Sequence, residues 1–132
     1  MKKVLFICIR NSGRSQMAEA FFNQASDSTV KAVSAGTKPA RSVNPVIIEV
    51  MQEAGIDISK NRPKMITEDM LNAADIIITM GCGVTCHCLA SRKTIDWGLT
   101  DPDGRELPEI RRIRDRIKEK VAILVSGLNN YG

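Results

Sequence analysis

The chain has 132 residues, enough to bury about two-thirds of its unfolded surface in one core, so a single domain over 1–132 is expected without disulfide or metal staples. Its formal charge of +4, from 19 basic and 15 acidic residues, comes with aromatics at only 4%, a mild basic excess without the stacking groups of a nucleic-acid binder. No apolar run approaches the ~20 residues of a membrane span, and the one before Arg10 is too short for a signal-peptide core, which points to a cytoplasmic protein with no membrane partner.

The first element is a buried strand, about Lys3 to Cys8, carried by the apolar run Val4-Leu5-Phe6-Ile7. A helix follows over about Gly13 to Ala25. Asp27-Ser28-Thr29 turns into a short strand, Val30 to Ser34, ended by Ala35-Gly36-Thr37. Asn44 reads as an N-cap with Pro45 at the first helical position, and Val46, Ile47, Val50, Met51 and Ala54 keep helical spacing until Gly55. Asp57 to Met65 is irregular. Thr67 caps a short helix ahead of a third strand in Ala74 to Met80, and Lys93 to Trp97 gives a fourth, edge-like strand. After the loop Gly98 to Gly104, Leu107-Pro108 opens a long amphipathic helix with Ile110, Ile113, Ile117, Val121, Leu124 and Val125 on one side. Its charged face, with Arg111, Arg112, Arg114, Arg116, Lys118 and Lys120 among acidic residues, reads as solvated surface. Strands alternating with helices define a three-layer α/β sandwich around a parallel sheet, whose ligands bind beyond the carboxyl ends of the strands.

Three chemistry-bearing segments follow strand ends and can therefore share one crevice. The first is Cys8-Ile9-Arg10-Asn11-Ser12-Gly13-Arg14-Ser15. Its backbone N–H groups and the following helix dipole converge on a concavity suited to an oxyanion, with a thiol at its floor. A helix N-terminus and a nearby Arg favour the thiolate, the nucleophilic form of cysteine. Arg14 can hold two oxygens of a tetrahedral anion as a bidentate fork, and Ser15 can hydrogen-bond the sulfur. Asn11 can shape this loop, cap the helix, or do both.

The second segment holds the other three of the four cysteines, Cys82, Cys86 and Cys88, just after the third strand. In a reducing compartment such thiols point to catalysis, redox chemistry or metal binding. With His87 they could ligate zinc, but the compact Cys-x3-Cys-His-Cys spacing lacks the separated pairs of a zinc site, so no metal and no cofactor is expected. The third segment contains Asp101 before Pro102, placed to be a turn former or a proton donor. Trp97 reads as core or rim packing.

Cys-x5-Arg-Ser between a first strand and a first helix, with a late Asp-Pro loop, resembles the low-molecular-weight protein tyrosine phosphatases. Within that superfamily the chain is more similar to the thioredoxin-coupled arsenate reductases. The carrying residues are Asn11-Ser12, Arg14-Ser15-Gln16-Met17-Ala18-Glu19, Ser34-Ala35-Gly36-Thr37, Gly55-Ile56-Asp57-Ile58-Ser59, the cysteines after Met80, and Asp96-Trp97-Gly98-Leu99-Thr100-Asp101-Pro102. The resemblance implies a four-stranded parallel sheet and a monomer. It also implies that Cys8 attacks arsenate held by the loop, Arg14 and Ser15, while Asp101 donates a proton to the departing oxygen. Cys82 then attacks the Cys8 sulfur to release arsenite, and a third thiol takes over Cys82 and passes the disulfide to thioredoxin or a similar thiol reductant. The four-residue spacing of Cys82 and Cys86, one helical turn, favours Cys86 as that thiol, with Cys88 in reserve. The alternative is a phosphatase that hydrolyses a phosphocysteine with water. That route needs only Cys8, Arg14 and Asp101, so the extra thiols favour reduction. A third reading is a noncatalytic module that binds an anion or zinc.

Two departures from the family pattern bear on the loop. Arg10 stands where many relatives have Gly, at a position where the chain could need positive φ. Some relatives bind potassium through Asn, Glu, Ser and Asp; Asn11, Glu19 and Ser34 match, but Lys64 replaces the Asp, so its ammonium is expected to stand in for the ion.

Overall fold

The computed structural model describes residues 2–81 and 92–130; Cys82, Cys86, His87 and Cys88 lie outside the described residues. The elements run β1 (Lys2–Cys8), α1 (Arg14–Ala25), β2 (Val30–Gly36), α2 (Pro45–Glu53), α3 (Glu68–Ala73), β3 (Ile76–Thr79), β4 (Ile95–Asp96) and α4 (Leu107–Asn130). All strand pairings are parallel, in the order β2-β1-β3-β4. The α/β class and the four-stranded sheet are as the sequence implies. Strand order reverses about β1, so the crevice where such sheets hold ligands opens beyond Cys8.

β1 is buried on both faces because it is central, and its alternation divides the core. Val4, Phe6 and Cys8 face the large cluster that also holds Met17, Phe22, Ile47, Met51, Ile117 and Val121 from α1, α2 and α4. Leu5 and Ile7 face a smaller cluster with Ala35, Leu71 and Ile77, covered by α3. Phe6 anchors the larger side, with its ring centroid 6.1 Å from Phe22 and 5.4 Å from Trp97, so Trp97 does pack at the core margin.

Local signals set the helix ends. The Asn44 side chain accepts from Val46 N–H with Pro45 at the first helical position, and the Thr67 hydroxyl accepts from Met70 N–H. Gly55 adopts φ +86° just past α2, as a helix stop requires. The apolar stripe of α4 is buried as expected, with Ile110, Ile113, Ile117, Val121 and Val125 all in the large cluster.

Three expectations are corrected. β2 continues through Ala35 to Gly36, because both are zipped to Ile7 and Cys8 of β1. β4 is only two residues, held to Ile78 and Thr79. The charged face of α4 is not all free surface: Arg111 and Arg114 both reach Glu53 of α2 at 2.8 Å, and Arg114 also donates to Val50 O at 2.9 Å. Hydrogen bonding from Arg111 lowers the Glu53 pKa below its ordinary value.

Gly36 is where the sheet meets the anion loop. A Cβ there would lie 2.5 Å from Ile9 O and 3.0 Å from Asn11 N, so the loop passes over Gly36 only because it has no side chain. A Cβ on Gly127, inside α4, would meet nothing within 4 Å. Urea denaturation is therefore expected to show Gly36→Ala losing about 1–3 kcal/mol through overpacking. Gly127→Ala gains about 0.5–1 kcal/mol from helix propensity.

Candidate active site

Cys8 ends β1 and is buried, 4% exposed. The next residues wind tightly because a neighbouring segment takes their carbonyl oxygens. Cys8 O, Ile9 O, Arg10 O and Ser12 O accept from Thr37, Lys38, Ala40 and Asn44 N–H at 2.8–3.3 Å. With those carbonyls committed away from the cleft, what the loop offers an anion there is N–H. α1 begins at Arg14 with Gly13 as N-cap and no side-chain cap, leaving its first-turn N–H groups for the same purpose.

Asn11 does not cap α1; it shapes the loop. It has φ +52°, the only positive value at a non-glycine among the described residues, so the left-handed turn falls on Asn11 and not on Arg10. Its backbone N–H donates to Cys8 Sγ at 3.1 Å and its Nδ2 donates to Ser15 Oγ at 2.8 Å. Ser15 Oγ lies 2.8 Å from Cys8 Sγ. Asn11 and Ser15 are fully buried, supporting the loop from behind.

In front, a cavity of about 710 Å³ is lined by Cys8, Ile9, Arg10, Ser12, Gly13 and Arg14 on one side and by Asp101 on the other. Arg14 is almost fully buried. Its Nη1 donates to Leu99 O at 2.9 Å and Met80 O at 3.3 Å, and its Nη2 lies 3.9 Å from Asp101 Oδ2. The guanidinium thus ties the loop to the exits of β3 and β4. Asp101 is also a turn former, since its Oδ1 accepts from Asp103 N–H at 3.0 Å, and that turn is what presents its other oxygen toward Arg14. Arg10 and Asp103 make a second pair at the rim, at 3.9 Å. Gly81 lines the cavity as well, which brings the residue before Cys82 to its edge.

Cys8, Ile9, Arg10, Ser12, Gly13, Arg14 and Asp101 therefore meet at one cavity, with Asn11 and Ser15 beneath it. Two supporting residues escaped sequence reasoning. Gly36 was legible only as a strand end. Gln16 is buried and donates through Nε2 to Asn11 O and Asn11 Oδ1; a buried amide at the third position of a helix was the signal available.

Beside the loop, Glu19 accepts from Ser34 Oγ at 3.2 Å and lies 3.8 Å from Lys64 Nζ. These residues do not fit an alkali cation. The ammonium already faces the Glu19 carboxylate, and Asn11 Oδ1 is taken by Lys64 N–H and Gln16 Nε2. Burial raises the Glu19 pKa above 4.5, and Lys64 and Ser34 only partly offset this. A raised carboxyl contributes stability that is present below 4.5 and lost as pH rises through the folded value. Thermal unfolding should accordingly show Glu19→Gln gaining on the parent as pH rises from 4 to 8; a constant difference across that range would refute the assignment.

A cysteine at the start and an arginine at the end of an N–H-rich loop, set between a central parallel strand and a helix, define the class of enzymes that form thiol-linked adducts of tetrahedral oxyanions. Residues 3–131 match the family "Low molecular weight phosphotyrosine protein phosphatase", and the chain belongs to that family. It is 38% identical to a glutaredoxin arsenate reductase from Synechocystis over 132 residues, covering 98% of this chain and 100% of the relative. Among solved structures, a thioredoxin-dependent arsenate reductase from Corynebacterium glutamicum superposes with TM-score 0.84 at 35% identity; all of this chain is covered, and it spans 64% of the length of that one. An arsenate reductase in the phosphate binding state superposes with TM-score 0.83 at 38% identity, covering 96% of this chain and 98% of that one.

Proposed function

We propose that this chain reduces arsenate to arsenite through a covalent adduct on Cys8 and an internal thiol relay. The observation that carries this reading is the Arg14 tie. The arginine that would grip the oxyanion is bonded to Met80 O, two residues before Cys82, and Gly81 lies at the cavity edge. Cys82 follows Gly81 in the sequence, which supports it as the second thiol of the relay. Relatives named as arsenate reductases support the same substrate.

In the proposed sequence Cys8 thiolate attacks arsenic, held by Arg14 and the N–H groups of the loop, while Ser15, which lies beneath the cavity and not in its lining, supports the sulfur. The departing oxygen leaves as water with a proton from Asp101. Cys82 thiolate then attacks the Cys8 sulfur. The S–S bond forms, the S–As bond breaks, and its electron pair reduces As(V) to As(III), released as arsenite. Cys86 next attacks Cys82, expelling Cys8 thiolate and leaving a Cys82–Cys86 disulfide, with Cys88 the reserve third thiol. A dithiol reductant returns the protein to its starting state. Relatives are named for thioredoxin and for glutaredoxin; thioredoxin is the donor proposed here. The chain works as a monomer in the cytoplasm in this reading; no helix among the described residues is long and apolar enough to cross a membrane.

A second reading, phosphate-ester hydrolysis, has a specific basis. Cys8, Arg14 and Asp101 at one cavity are sufficient for a phosphocysteine intermediate that water can cleave. The two activities separate by mutation.

With a thioredoxin system, Cys82→Ser is expected to abolish arsenate turnover while sparing p-nitrophenyl phosphate hydrolysis, and Cys8→Ser to abolish both. Sustained turnover by Cys82→Ser would remove the relay. Arg14→Lys, which loses the bidentate fork, should lower kcat/KM for arsenate roughly 100-fold or more, the scale set by losing one oxyanion donor. With Lys64 beside Glu19, replacing sodium by potassium at constant ionic strength should leave both kcat/KM and Tm unchanged; stimulation by potassium would show that the ammonium does not stand in for the ion.

A further inference from the structure

Behind the catalytic loop lies a chain of buried amides whose direction can be worked out from groups of fixed polarity. Gln16 Nε2 is within 3.3 Å of Asn11 O and Arg62 O, carbonyls that only accept, so its NH2 must face them. Its Oε1 then faces Asn61 Nδ2, at 3.2 Å, which donates to it. Next in line, Asn11 Oδ1 lies 2.9 Å from Lys64 N, which only donates, and 3.1 Å from the NH2 of Gln16. The Asn11 amide is therefore held with its oxygen toward these two donors and its NH2 toward Ser15 Oγ, 2.8 Å away. A serine oxygen that accepts there turns its own proton elsewhere, and its other close partner is Cys8 Sγ at 2.8 Å.

We propose that Gln16 is a positioning residue for Cys8: with the backbone N–H of Lys64 it locks the Asn11 amide, and so fixes the Ser15 hydroxyl as donor to the Cys8 sulfur. The inference deepens the reading of Cys8 as the nucleophile and rests on it. With the amide of Asn11 turned over, its NH2 would face two donors, Lys64 N–H and Gln16 NH2. Its oxygen would draw the Ser15 proton away from sulfur. The sulfur would keep only the Asn11 N–H as donor. Gln16, Arg62 and Lys64 are not among the residues that line the cavity, so their effect on chemistry passes through Asn11. The lock joins the loop to the irregular segment after α2, which is itself held to the sheet by Gly36 N–H donating to Lys64 O at 2.8 Å.

The test reads Cys8 directly. The rate of its alkylation by iodoacetamide is followed from pH 6 to 10, with the Cys8 peptide counted by mass spectrometry so that the other thiols do not contribute. Four proteins are compared: the parent; Gln16→Met, which removes the amide but keeps its length; Lys64→Pro, which removes the ammonium side chain and the backbone N–H; and Lys64→Ala, which removes the same side chain but keeps the N–H. The charged groups at the cavity, Arg14, Asp101, Arg10 and Asp103, are unchanged in all four; Glu19 beside the loop loses its Lys64 partner equally in both Lys64 variants, so their comparison isolates the N–H. Leaving a buried donor without its acceptor is worth roughly five- to 100-fold in population. Alkylation at pH 6 is therefore expected to fall about five- to tenfold in Gln16→Met and Lys64→Pro, to stay within twofold in Lys64→Ala, and to converge in all four at pH 10.

A Gln16→Met profile that superimposes on the parent would overturn the inference, as would equal losses in Lys64→Ala and Lys64→Pro, or a loss as large at pH 10 as at pH 6. Thermal unfolding of each variant accompanies the rates, and if Gln16→Met does not fold, the two Lys64 variants decide the matter alone. Failure of the parent to reduce arsenate would count against the proposed function and leave this measurement intact.

Discussion

The structure depends on one geometric demand: the backbone of residues 8–15 must turn its carbonyl oxygens away from the cleft it encloses. A loop this tight cannot do so unaided, because each carbonyl turned outward needs a donor to receive it. Those donors come from residues 37–44, which run alongside and supply N–H groups to Cys8 O, Ile9 O, Arg10 O and Ser12 O. The parallel sheet serves this arrangement. Pairing of β1 with β2 through Cys8 and Gly36 delivers both segments side by side, and the bare Cα of Gly36 lets them approach. The left-handed turn at Asn11 is the remaining distortion, held by hydrogen bonds at both its backbone and its side chain.

Around that loop, functions are divided by depth. Arg14 is buried and spans three segments; Arg10, on the same loop, is mostly exposed and pairs with Asp103. An exposed pair of this kind is worth little to stability, so its place at the rim matters mainly for the field an approaching anion meets. The buried arginine, with bonds to Met80 O and Leu99 O, stiffens the cavity floor. Phosphatase and reductase chemistry can share such a floor. What distinguishes them is the next nucleophile to reach the sulfur adduct, water or thiol.

Much of this was legible from residue types. The apolar run before Cys8, the Asn44-Pro45 and Thr67 starts, the Gly55 stop and the stripe of α4 are local signals, and each gave its element. The loop was legible as an anion cradle because cysteine, arginine and hydroxyls sit at a strand-to-helix junction. Less legible were features that depend on partners distant in sequence. Nothing local says that Asn11, and not Arg10, takes the positive φ, that Gln16 meets Arg62, or that Arg111 and Arg114 leave solvent to clasp Glu53. These are consequences of packing across forty or more residues. The short β4 belongs with them, since an edge strand's length is set by its neighbour.

Gly81 carries a last consequence. Its φ is +88°, and a Cβ on it would lie 2.4 Å from Leu99 N, so the backbone there is pressed against the segment that holds Asp101. Both the exit of β3 and the Asp101 segment line the cavity, so its wall closes at this point only while position 81 carries no side chain. Gly81 thus does for the far wall what Gly36 does for the loop: at both, the absence of a Cβ sets how near two backbones can come, and with it the width of the cleft.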